Sequence, residues 1–233
     1  MFLIGAAAAS AQTGTKPGVG PRDGRAAIDV GVAPWASVVR INTEAGTHCT
    51  GAVIAARAVV TAAHCLVAPR TGRLVRAERV HVLVGYDRGK FGTHARATAI
   101  VIGPGFAPER RGPPGADWAI LHLDRALPSA PLPFALDAQP GTPAMLGGWQ
   151  RDRAEVLLGD TACKIEALLR DASGPLLKHD CGATSGASGG PLLVRASAGW
   201  AIAGIAILAQ SKASGGLAVA AASVAPHVPA LTR

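Results

Sequence analysis

The chain has 233 residues, 49% of them hydrophobic and 16% charged, a composition that excludes a disordered chain or a mini-protein. Its 29 Gly and 17 Pro follow no collagen period and punctuate short apolar runs, which favours strands over long helices. Lys and Arg number 23 against 15 Asp and Glu, a net charge of +8, but aromatics make up only 4%, so nucleic acid is not an expected partner.

Residues 1–11 form a short apolar run ending in Ala9-Ser10-Ala11, which fits the small-x-small cleavage rule and predicts a signal-peptide remnant on a secreted or periplasmic protein. No segment reaches the roughly 18 uninterrupted apolar residues that span a bilayer. Residues 12–32, rich in Gly, Pro and charge without a period, are expected to be a flexible leader. Strand-like runs follow at 36–41, 51–54, 58–61 and 80–84, separated by turn signals such as Glu44-Ala-Gly46 and Asp87-Arg-Gly89. The cluster Arg70, Arg73, Arg76 and Arg79 reads as a solvated basic face. After a Pro-rich stretch beginning at Leu127, a second series of runs occupies 144–147, 155–158, 191–194, 201–208 and 217–219. Two clusters of strands predict two β units, 33–130 and 144–233, joined by a linker at 131–143.

Four cysteines, Cys49, Cys65, Cys163 and Cys181, lack the tight spacing of zinc or redox sites, and disulfides are expected. Three pairings are possible; pairing of sequence neighbours would close two moderate loops, each contributing roughly 3 kcal/mol in the chain-entropy description.

Three segments carry chemistry. Val59-Val-Thr-Ala-Ala-His64-Cys65 offers an imidazole after small residues. Asp117 opens the apolar run Trp118-Ala-Ile-Leu-His-Leu123, where a carboxylate needs a partner to be buried. In Gly186-Ala-Ser188-Gly-Gly-Pro191, glycines let backbone N–H groups approach the serine hydroxyl, a geometry suited to an oxyanion hole. A serine hydroxyl becomes a useful nucleophile when an imidazole takes its proton, and a carboxylate fixes that imidazole's tautomer. The order His, Asp, Ser supplies all three parts.

These segments resemble those of trypsin-like, chymotrypsin-fold serine peptidases, and the chain is most similar to secreted bacterial members related to glutamyl endopeptidases, in which a segment like His179-Asp180-Cys181 precedes the serine loop. Cys49-Thr-Gly51 and Pro34-Trp35 fit the same pattern. The resemblance implies an all-β fold of two six-stranded antiparallel β-barrels with the site in the cleft between them, and a disulfide between Cys49 and Cys65. It also implies His64 as general base, Asp117 as its orienting carboxylate, Ser188 as nucleophile, and the N–H groups of Gly186 and Ser188 as oxyanion donors. Polypeptide substrates, no metal, no cofactor and a monomer are expected. A binding module on the same fold, or an esterase, are the alternative functions.

Departures from the family pattern shape two further expectations. Ala187 stands where trypsin-type enzymes carry an Asp that pairs with a freed N-terminus, so activity is expected without such a cut, and removal of the leader is expected to matter little. The substrate pocket is expected to be formed by Gly182, Ala183, Ile207, Leu208, Ala209 and Gly216, uncharged and suited to small or medium uncharged side chains. Asp180 is the one residue that could reverse this, if it turned into the pocket.

Overall fold

In the computed structural model, which describes residues 16–21, 23–211 and 213–228, the apolar runs become short antiparallel strands. The expected signal segment lies outside the described residues. A two-residue strand β1 (Ala26–Ala27) precedes a first set of six: β2 (Val38–Thr43), β3 (His48–Ala55), β4 (Ala58–Thr61), β5 (Val80–Val84), β6 (Thr93–Ile102) and β7 (Ala119–Leu123). They close into a barrel in the order β2-β3-β4-β7-β6-β5. The second set is β8 (Pro143–Gly148), β9 (Leu158–Asp171), β10 (Gly174–His179), β11 (Pro191–Ala196), β12 (Gly199–Ala209) and β13 (Gly216–Ala220). Its order is β9-β10-β13-β12-β11-β8, and pairing of β8 with β9 closes a second barrel, to whose β9 the short β1 adds. The single α-helix among the described residues, α1 (Ala221–Val224), is one turn long and passes into a 3-10 turn that contains Pro226.

Alternation along the strands sorts the side chains. Val39, Ile41, Val53, Val59, Val82 and Leu121 fill the first barrel, and Leu146, Ile165, Leu177, Leu192 and Ala218 the second. A third cluster mixes the two units: Trp35, Val38 and Ile120 pack with Trp149, Leu157, Leu193 and Val219. Each large apolar side chain taken fully out of water contributes roughly 1.5–3 kcal/mol, so this shared cluster fixes the barrels against each other. The disulfides join Cys49 to Cys65 and Cys163 to Cys181, the pairing of sequence neighbours.

Where it is described, the segment expected to be a flexible leader is packed instead. Val19 and Arg25 are buried. Gly18 donates its N–H to the Gln210 carbonyl at 2.5 Å and accepts from Ala183 N–H at 3.0 Å, lying between two walls of the second barrel. Its φ of +76° and the collision a Cβ would make with the Ala183 carbonyl oxygen both require glycine. Low hydrophobicity hid this, because much of the hold comes from backbone bonds and one buried cation, with only a few apolar side chains such as Val19, Ile28 and Val30.

Candidate active site

Strand register brings the first two candidates together. Thr61 of β4 pairs with Ala119 of β7, so the residues just after Thr61 and just before Ala119 leave the barrel at the same end. His64 sits there in a 3-10 turn, Ala63–Leu66, beside the disulfide of Cys65, and Asp117 ends the 3-10 turn Pro114–Ala116. Both Asp117 oxygens go to His64: Oδ2 lies 2.7 Å from Nδ1, and Oδ1 accepts the backbone N–H at 2.8 Å. An ionised carboxylate only accepts, so Nδ1 carries the hydrogen and the Nε2 lone pair is left free. Asp117 is buried, while the His64 side chain keeps 20% of its surface exposed.

Ser188 lies on the loop between β10 and β11. That loop is held by many bonds: Asp160 Oδ2 accepts Gly182 N–H, Gln150 Oε1 accepts Thr184 N–H, Ser185 carbonyl accepts Arg151 N–H, and Thr184 carbonyl accepts Ala187 N–H. From the first barrel, Thr50 N–H donates to the Ser188 carbonyl at 2.9 Å and Thr50 Oγ1 to the Gly186 carbonyl at 2.9 Å. Gly186 has φ +100°, and a Cβ there would strike the Trp149 carbonyl oxygen. With Gly186 turned this way, no protein acceptor among the described residues takes the N–H of Ser185, Gly186 or Ser188. Free amide donors beside a serine hydroxyl form the electrostatic half of an acyl-transfer site.

His64 and Ser188 line a common cavity of about 280 Å³, and no hydrogen bond joins the Ser188 hydroxyl to His64 among the described residues. Such contacts are often long in an unliganded site and tighten when substrate enters. A neighbouring cavity of about 340 Å³ shares His64 and Ser188 and runs the other way, toward His48, Arg111 and Arg151. Burial, with Arg40 and Arg151 nearby, holds the His48 imidazole below its ordinary range.

Of the residues expected to form the substrate pocket, Ala183, Ile207, Leu208 and Ala209 line the first cavity. Gly182 and Gly216 do not: Gly182 turns its N–H to Asp160, and Gly216 packs against the Leu208 carbonyl. Asp180 stays out of the cavity too, its Oδ1 accepting Lys164 N–H at 2.7 Å. Among the further lining residues, which the sequence did not assign to the pocket, are Pro17, Thr184 and His179. His179 is 1% exposed, and neither ring nitrogen has a hydrogen-bond partner among the described residues. Burial pushes its pKa down to about 4, against the weak opposing pull of Asp180, Glu166 and Asp160. The sequence displayed His179 beside Asp180 and Cys181, but only the fold shows that its ring has nothing to bond.

The sequence profile of the trypsin family matches residues 23–229, nearly the whole chain. The chain belongs to the trypsin family. It is accordingly a serine endopeptidase, a hydrolase whose substrates are polypeptides. Its two-barrel fold is also that of a solved structure of Glu endopeptidase in complex with MPD, with a TM-score of 0.68 at 22% identity over 89% of this chain and 96% of the other. Among curated protein sequences no match was found. The family match starts at residue 23, just before Arg25, so the buried cation described above belongs to the matched region.

Proposed function

We propose that this trypsin-family chain is an exported peptidase that cleaves through an acyl-enzyme on His64, Asp117 and Ser188. The observation that carries the reading is the double hold of Asp117 on His64, which leaves Nε2 available as base in the cavity that His64 and Ser188 line together. In the first step Ser188 Oγ attacks the scissile carbonyl, its proton passes to His64 Nε2, and the new oxyanion takes the N–H groups of Gly186 and Ser188. The imidazolium then returns the proton to the leaving amine, and water, activated by the same nitrogen, releases the acyl group. Asp117 stabilises the transient imidazolium.

Substrate lies across Ser188, with the side chain before the scissile bond in the 280 Å³ cavity and the leaving portion toward Arg111 and Arg151. With Asp180 bonded outside that cavity, and Ala183, Ile207, Leu208 and Ala209 lining it together with Thr184 and the buried ring of His179, small or medium uncharged side chains fit best. The apolar run at residues 1–11 and the two disulfides support export. Labelling of purified protein with a fluorophosphonate probe, followed by mapping of the modified peptide, tests the mechanism: the adduct is expected on Ser188 and is lost in His64→Ala. An active protein with no adduct on Ser188 refutes it. Dominant cleavage of a peptide library after Lys or Arg refutes the pocket assignment.

A further inference from the structure

Behind the Ser188 loop, facing away from substrate, lies a buried cation that the proposed mechanism does not use. The Arg25 side chain is fully buried, and all its donors are taken. Nε and Nη2 donate to Asp23, Nη2 also to Asp152 Oδ2 at 2.8 Å, and Nη1 to Asp152 Oδ1 at 3.2 Å and to Gln150 Oε1 at 2.6 Å. Gln150, itself fully buried, passes the contact on, because the same Oε1 accepts Thr184 N–H at 2.8 Å. The adjoining Arg151 N–H holds the Ser185 carbonyl at 2.7 Å. The guanidinium is thus two hydrogen bonds from the turn that exposes the Gly186 and Ser188 amides. The Arg25 stem also stands 3.5 Å from where a Cβ on Gly182 would be, so it backs the start of the loop as well.

Charge complementarity supports a permanent ion cluster. Burial alone would disfavour the Arg25 charge, but its bonds to Asp23 and Asp152 more than offset that and raise its pKa. Burial likewise opposes ionisation of Asp152, and hydrogen bonds from Arg25 and Lys16 outweigh it and hold the carboxyl below its ordinary range. A half-satisfied cation here would be costly, so every guanidinium donor is matched by an acceptor, and the contact to Gln150 is separate from the two to Asp23.

We propose that Arg25 is a positioning residue for catalysis: through Gln150 it fixes the 184–188 turn, so that the oxyanion-binding amides are ready in the uncut chain. The proposal rests on the acyl-enzyme reading of Ser188 and adds what holds its oxyanion donors in place. A free N-terminal ammonium has no role in it, since Ala187 offers no carboxylate next to the serine and the cation is supplied from within the chain.

The test uses the full chain carrying Arg25→Gln, Arg25→Lys, Asp23→Asn or Gln150→Leu. Fluorophosphonate labelling rates and kcat and KM on a peptide substrate are measured at a temperature where each variant is folded by circular dichroism. Loss of a single oxyanion donor costs about 100-fold or more in kcat, and a drop of that size is expected for Arg25→Gln and Gln150→Leu, with partial recovery in Arg25→Lys. Asp23→Asn, which removes an ion pair but leaves the Arg25–Gln150–Thr184 relay, is expected to lower stability with kcat within about threefold of wild type. If Arg25→Gln does not fold, Gln150→Leu carries the same comparison. Wild-type kcat in folded Gln150→Leu overturns the proposal, as does labelling that appears only after the chain is cut beyond Arg25. Absence of labelling in the wild type refutes the reading of Ser188 instead.

Discussion

Acid should find a specific weak point at His179. The ring is buried with no partner for either nitrogen among the described residues, and burial pushes its pKa down to about 4, below the ordinary 6.5 that applies in the unfolded chain. Between those values the unfolded state binds more protons, and stability falls as pH falls. The gap between 6.5 and about 4, at about 1.4 kcal/mol per tenfold change, amounts to roughly 3 kcal/mol, most of it lost between pH 7.5 and 4.5. His48 and His94, also held below their ordinary range by burial, add to the loss in the same direction. Asp23 separates cleanly: Arg25 holds its carboxyl at about 2, so its contribution is fully present above the unfolded value near 3.8 and disappears only as pH drops toward 2. Urea unfolding followed by tryptophan fluorescence, at pH 7.5 and 4.5 and in a Ser188→Ala background that prevents self-digestion, gives the two free energies. His179→Leu removes the unpartnered imidazole and is expected to be neutral or stabilising at pH 7.5 and to shrink the acid loss by roughly 2–3 kcal/mol. Equal acid losses in the two proteins would falsify the assignment.

Three further outcomes are expected. Ser188→Ala and His64→Ala each lower kcat by about 10⁴-fold or more with the fold intact, and the double variant is barely slower than either one, measured on a sensitive peptide substrate. Replacing Cys163 and Cys181 by Ala opens a loop of sequence separation 18 and lowers stability by roughly 3 kcal/mol in urea titration, since Cys181 anchors the start of the serine loop. Gly189→Ala is expected to abolish fluorophosphonate labelling, because φ there is +81° and a Cβ would meet Thr61 Oγ1 and the Thr50 carbonyl; unchanged labelling would show that the loop can move aside.

Sequence and structure agree where chemistry or apolar periodicity is concentrated. The runs that become β3, β4, β5 and β11 are rich in β-branched or aliphatic side chains, buried almost throughout, and could be read directly. Strands β6, β9 and β10 escaped. In β6 the buried positions are Ala95 and Ala97, too small to signal a face, and β9 turns Lys164, Glu166 and Arg170 outward along its 14 residues. The run read at 155–158 is a turn whose last residue only begins β9. His64, Asp117 and Ser188 stood out because motifs name them. Gln150, Thr50 and Arg25 did not, because each acts through partners 34 to 136 residues away, and no local pattern encodes such a distance.

The order in which this chain emerges during synthesis gives the packed N-terminal segment a further meaning. Every strand pairing of the first barrel lies within residues 38–123, so that unit can close as soon as β7 is complete. Residues 16–27 are made before it, yet their partners are Gln150, Asp152, β9, Ala183, Gln210 and Gly215. A segment made before the first barrel is therefore among the last to find its place, and it waits until almost all of the second barrel has been made. Closing so long a loop is slow and comes late. On the proposed role of Arg25, the serine turn becomes competent only once that segment has docked, when the chain is folded and no longer an easy substrate for itself.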